Sequence, residues 1–133
     1  MEFKVTTGGS VPIYRQIENQ IHLAIASGAL RAGEQLPSVR VLAQELLINP
    51  NTVARAYNGL VRDGVLRSEK GRRLSVAERR STFKKAEREE RLRPALDAFV
   101  HQALGLEYTP EEIRKTLERR LSQLDLTSPG DGS

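Results

Sequence analysis

The chain has 133 residues, 38% of them hydrophobic and 5% aromatic, with a formal net charge of +4 and no cysteine. That length suits one ordinary domain, commonly about 100 to 150 residues, with a short appendage, and leaves no room for a large catalytic fold. The missing cysteines exclude disulfides, thiolate metal ligands and cysteine nucleophiles, and suit a reducing cytosol.

The opening MEFKVTTGGSVP has no apolar signal core, and no window approaches the roughly 18 apolar residues of a membrane span, so a cytoplasmic protein with no membrane partner is expected. After a flexible start containing Gly8 and Gly9, Ile13, Ile17, Ile21, Ala24 and Ile25 recur at helical spacing. They predict a first helix over 12–27, with Pro12 in its first turn and Gly28 stopping it. GALRAGEQLPS reads as a connector in which Gln35 and Leu36 form one short strand. Ser38 can cap a second helix over 39–46 that buries Val39, Leu42, Ala43 and Leu46.

Asn49 is a strong capping residue and Pro50 is favoured at a first helical position, so a third helix is expected from there to about Asp63, with Gly64 ending it. Val53, Ala56, Tyr57, Leu60 and Val61 form its apolar face; Asn51, Arg55, Asn58 and Arg62 form the polar one. The pair of helices makes a helix-turn-helix. A helix presented by its first turn fits the DNA major groove, where Asn51, Thr52 and Arg55 would meet base edges and the first amides would meet phosphate. A merely solvated polar face is the bland alternative.

VLRSEKGRRLSV then predicts a strand over 65–68, a turn at 69–72 and a returning strand over 73–76, which adds a wing to the helix-turn-helix. Lys70 and Arg72 at its tip would reach phosphates or the minor groove, unless the hairpin is simply an exposed turn. Residues 62–93 carry 12 Lys/Arg against 6 Asp/Glu and residues 94–133 carry 4 against 7. A polyanion partner is therefore expected at one place on the chain.

A charged helix is expected from about Glu78, continuing into Leu92, Leu96, Phe99, Ala103 and Leu106 at 4-3-4-3 spacing, with Pro94 kinking or interrupting it. Thr109, Pro110 and Glu112 form a capping box that opens a last helix to about Leu124, with Ile113, Leu117, Leu121 and Leu124 inward. Residues 127–133 read as a disordered tail. Two such short helices cannot bury their stripes alone. A homodimer through Leu92, Leu96, Phe99, Ala103, Leu106, Ile113, Leu117 and Leu121 is favoured over folding back onto the winged helix, and it would read a palindromic operator.

An enzyme is not expected. His22 and His101 lie far apart without ligand spacing, and Glu87, Glu89 and Glu90 alternate with Arg88 and Arg91 as on a solvated helix. No metal, catalytic residue or cofactor is expected, and no pocket for a small-molecule effector is legible, although an unidentified effector is left open as a partner.

The stretch PIYRQIENQIHLAIASGALRAGEQLPSVRVLAQELLINPNTVARAYNGLVRDGVL resembles the winged-helix domain of GntR-type bacterial transcription regulators, particularly the YtrA subfamily. The similarity rests on PIY-x-QI, on G-x-L-x-x-G-x-x-LPS-x-R and on NPNTV-x-R-AY, and it covers residues 11–77. It implies DNA contacts from Ser38 (to phosphate), Arg40, the turn from Asn49 through Asn51 to Thr52, Arg55, and the wing tip at Gly71 and Arg72. It also implies dimerisation by the C-terminal helices. The chain departs from the family pattern at Leu47, where glycine is usual in the turn, in a wing reading GRRLSVA, and at Gly59 inside the third helix. A left-handed leucine costs about 1 to 2 kcal/mol, and a mid-helix glycine about 1 kcal/mol relative to alanine.

The expected fold is mainly α with a small β-hairpin: a winged helix-turn-helix over 1–77, a two-helix dimerisation module over 78–126 and the tail over 127–133. The expected function is a sequence-specific DNA-binding transcription regulator, a dimeric repressor on double-stranded DNA. A winged-helix protein acting in protein assembly or nonspecific DNA packaging is the alternative.

Overall fold

The computed structural model describes residues 1–68, 73–78, 84–124 and 126. They divide into two compact units, the first holding three helices and a hairpin, the second holding two further helices.

In the first unit, α1 (Ile13–Ser27) begins one residue later than expected because Pro12 takes the capping position, and it ends at Gly28, whose φ of 86° is left-handed. The N-terminal segment, expected to be flexible, is laid along α1. The Gln16 side chain accepts from the Thr6 amide at 2.9 Å and donates to the Thr6 carbonyl at 2.8 Å, and one turn later Gln20 pairs in the same way with Lys4. These bonds let Phe3 and Val5 pack against the core.

The second helix, α2 (Val39–Leu46), is capped by Ser38, whose Oγ accepts from the Val41 amide at 3.1 Å. Its end is closed by Leu47 at φ 58°, with the Leu47 amide donating to the Gln44 carbonyl and the Ile48 amide to that of Ala43. This is a Schellman closure built on leucine instead of glycine. The third helix, α3 (Pro50–Arg62), starts and stops as its caps dictate. Asn49 accepts from the Asn51 amide at 2.8 Å, and Gly64 is left-handed at φ 78°.

The Val65 amide donates to the Leu60 carbonyl in closing α3, so the first strand starts one residue later than expected. Strand β1 (Leu66–Ser68) pairs antiparallel with β2 (Leu74–Val76), with Leu66 opposite Val76 and Ser68 opposite Leu74. The expected short strand at Gln35 and Leu36 is a single bridge to Ser75, extended by bonds from the Gly33 amide to the Val76 carbonyl and from the Leu36 amide to that of Leu74.

Ile17, Ile21, Leu36, Leu42, Val53, Ala56, Tyr57, Leu60, Leu66 and Val76 close one core, with Val39 and Leu46 partly buried against it. Val61, assigned inward from its spacing, is 37% exposed, and Gly59 is buried instead. The reason is that α1 lies against the Gly59 side of α3. A β-carbon on Gly59 would stand 2.5 Å from Glu18 Oε2, so the end of the Glu18 side chain occupies the space that a side chain there would take.

In the second unit the charged helix does not start at Glu78, which sits in a bend; α4 (Lys85–Gly105) begins after an extended Lys84. It runs on through Pro94, so the expected interruption is absent, although proline supplies no amide to the helical ladder. Its end is another left-handed closure, with Glu107 at φ 67° and the Tyr108 amide donating to the Ala103 carbonyl at 3.0 Å. The capping box of α5 (Pro110–Gln123) is fully formed: Thr109 Oγ1 accepts from the Glu112 amide, and Glu112 Oε1 from the Thr109 amide. The expected tail over 127–133 lies outside the described residues.

Candidate nucleic-acid interface

The caps that start α2 and α3 also place the polar residues singled out from the sequence. Arg40 stands exposed in the first turn of α2, and Ser38, half-buried, keeps its hydroxyl hydrogen free to donate while its oxygen caps the helix. On α3, Asn51, Arg55, Asn58 and Arg62 are all exposed and Thr52 is half-buried. The polar face read from the periodicity is therefore the solvent face.

The two helices are tied together by Tyr57, whose buried hydroxyl donates to the Pro37 carbonyl at 2.8 Å. Burial pushes its phenol well above the usual tyrosine range, and the negative charge of Glu45 pushes further in the same direction, so the group stays a donor. That bond fixes the residue before Ser38 relative to the middle of α3.

One expectation for the first turn of α3 needs correction. Its amides were assigned to phosphate, but the Asn51 amide is taken by the Asn49 side chain and the Thr52 amide by the Asn49 carbonyl at 2.9 Å. The cap consumes these donors, so a polyanion on this turn would be met by side chains.

The sequence reading missed a partner of Arg55. Its guanidinium lies over the ring of Tyr14 at the start of α1, with Cζ 3.8 Å from the ring centroid. Arg15 is also near that ring, at 5.5 Å, and is engaged by Glu18 Oε1 at 3.6 Å. PIY was the signal, but nothing local in it points to residue 55.

Of the wing, Lys70, Gly71 and Arg72 lie outside the described residues. Arg73, which follows them, is turned to Gln35 Oε1 at 3.5 Å. Among the described residues no group of acidic, histidine or cysteine side chains could hold a metal ion, and no helix is long and apolar enough to cross a membrane.

Of the eight residues assigned to dimerisation, four lie on α4 and three on α5, and Leu106 caps the end of α4. Leu92 is 62% exposed, Leu96 51%, Phe99 39% and Leu106 65%, and on α5 Leu117 and Leu121 are 44% and 45% exposed. Ala103 is already buried and Ile113 half-buried. Phe99, Ala103, Leu106, Tyr108 and Ile113 line a hollow of about 250 Å³ between the two helices. Large apolar side chains in a row at this exposure are unusual for a surface that stays in water.

Residues 13–76 match the family described as bacterial regulatory proteins, gntR family. The solved structure of YtrA from Sulfolobus acidocaldarius, a GntR-family transcription factor, is 35% identical and similar over 77% of this chain and 97% of that one, with a TM-score of 0.59. The chain belongs to the gntR family. It is a DNA-binding transcription regulator of the YtrA subfamily, in a family of regulators and not of enzymes. The crystal structure of a transcriptional antiterminator from Listeria monocytogenes EGD-e is 27% identical and similar over 98% of each chain, with a TM-score of 0.86. The AraR DNA-binding domain, solved in complex with operator ORX1, is 26% identical over 58% of this GntR chain and 99% of that one, with a TM-score of 0.51. These likenesses favour regulation and lend nothing to an assembly or packaging role.

Proposed function

We propose that this GntR regulator is a cytoplasmic homodimeric repressor of a palindromic operator. Residues 1–77 serve as the reading head, 78–126 as the dimerisation module and 127–133 as a tail. Ser38 and Arg40 hold phosphate at the start of α2, and Asn49, Asn51, Thr52 and Arg55 address the major groove. Lys70, Gly71 and Arg72 reach the flanking backbone or minor groove. Leu92, Leu96, Phe99, Ala103, Leu106, Ile113, Leu117 and Leu121 join the two copies. An effector, if one acts, is a small molecule of unidentified chemistry.

The observation that carries this reading is the pairing of a solvent-facing Asn51–Arg55–Asn58–Arg62 row on a capped recognition helix with an apolar row on α4 and α5 left in water. A two-fold dimer repeats each half-site contact, and half-sites about one helical turn apart, roughly 34 to 36 Å, or multiples of that, are the geometric consequence.

The test is a titration of the full chain against the duplex upstream of its own gene and against random duplex of equal length, at several salt concentrations. Regulation predicts preferential binding to the cognate duplex by a factor on the order of a thousand or more, and Arg55→Ala should cost about 1 to 3 kcal/mol there alone. Equal affinity for both duplexes at every salt concentration would refute sequence-specific reading of that region.

A further inference from the structure

Arg55 and Gly59 are one turn apart on α3, and Tyr14 and Glu18 are one turn apart on α1, so each pair shares a helix face. The structure joins them in two rungs. Glu18 lies against bare Gly59, where a β-carbon would stand 2.5 Å from its carboxylate oxygen, and one turn earlier Tyr14 lies under Arg55 at 3.8 Å. The end of the Glu18 side chain fills the space beside residue 59, and the same pair of helix faces sets the Tyr14 ring against the guanidinium.

We propose that Tyr14 is a positioning residue for DNA recognition, its ring holding the Arg55 guanidinium flat so that the N–H edge faces the duplex. This rests on the reading of Arg55 as a DNA contact.

The chemistry suits that role. A guanidinium on a long flexible stem has many rotamers, and binding must select one of them. Stacking through its face selects an orientation while leaving the in-plane N–H groups unspent, and those are the groups that pair bidentately with guanine O6 and N7 or with two phosphate oxygens. A separation of 3.8 Å is well inside the range of about 6 Å over which a cation is held by an aromatic face. The platform itself is fixed, since Tyr14 is half-buried against the core of α1–α3. The competing cation, Arg15, is farther from the ring and engaged by Glu18, which leaves the ring to Arg55.

The experiment is a double-mutant cycle on the full chain, read by fluorescence anisotropy with the upstream duplex and with random duplex, alongside thermal unfolding of each protein. Tyr14→Leu keeps apolar bulk without the aromatic face and should weaken cognate binding by about three- to thirty-fold. Tyr14→Phe should restore binding to within about twofold, since it keeps the ring that holds the cation. In an Arg55→Ala background Tyr14→Leu should cost nothing further. A loss confined to the cognate duplex means that the held edge reads a base; an equal loss on random duplex means that it holds phosphate. Additive losses overturn the proposal while leaving Arg55 a contact, as does a Tyr14→Phe protein as weak as Tyr14→Leu, or a Tyr14→Leu protein that binds more tightly than wild type. Cognate binding unaffected by Arg55→Ala removes both the proposal and Arg55 from the site, while the specificity ratio still judges the regulator itself. If Tyr14→Leu does not fold, NMR of the wild type decides: Arg55 side-chain protons shifted upfield by the ring should stay shifted when the upstream duplex is added, and release on binding refutes the positioning role.

Discussion

Replacing Leu47 by glycine should stabilise the reading head. Leu47 closes α2 in the left-handed region at φ 58°, where a β-carbon crowds its own carbonyl at a cost of about 1 to 2 kcal/mol. Its side chain is 90% exposed, so truncation forfeits almost no burial. Against this relief stands the greater backbone freedom that glycine gives the unfolded chain, about 0.5 to 1 kcal/mol. The difference is a net gain of between zero and about 1.5 kcal/mol, or up to roughly 12 °C in melting temperature for a domain of this size. The closure needs only the backbone, through the Leu47 and Ile48 amides, so Leu47→Gly keeps it and leaves operator affinity unchanged. Urea unfolding followed by circular dichroism measures the effect, a rise in midpoint at constant slope reporting stability alone. Leu47→Val is the control, because a β-branched residue tolerates positive φ worst and should lower the midpoint. A Leu47→Gly protein that unfolds at lower urea would refute the reasoning: the leucine would then be making a stabilising contact that outweighs its backbone strain.

Tyr57→Phe should cost about 0.5 to 1.5 kcal/mol by removing the bond to the Pro37 carbonyl. It should also flatten the alkaline limb of stability. The folded phenol titrates above its unfolded value of about 10, so its contribution is intact below that pH and is lost as pH rises and the unfolded chain ionises. Equal slopes for both proteins above pH 10 would count against it. Phe99→Asp, which sets a charge in the apolar row on α4, should cost several kcal/mol of association where no partner pairs it, and operator binding should fall with it through loss of the linked second head. Sedimentation at micromolar concentration decides this one: a monomeric wild type, or a fully dimeric variant, contradicts the dimerisation module.

What the amino-acid order determined by itself was local. Asn49-Pro50 opens α3, Gly64 ends it, Ser38 caps α2, and Thr109 with Glu112 caps α5, because each such signal acts within a turn or two of chain. The inward residues of α1–α3 were legible for the same reason, and so was the outward row of Asn51, Arg55, Asn58 and Arg62, since helical phase alone separates inside from outside. What needed the tertiary structure was every feature created by a second element arriving. Periodicity put Val61 inside, but α1 docks on the other flank of α3 and buries Gly59 instead. The first amides of α3 looked available until the Asn49 cap was seen to take them. Arg55 looked like a free arginine, because its ring partner is a distant residue that only the packing of α1 on α3 delivers. Helix phase and caps depend on near neighbours, which a sequence states outright; which faces of two helices meet depends on residues far apart in the chain, and that is decided only when the helices pack.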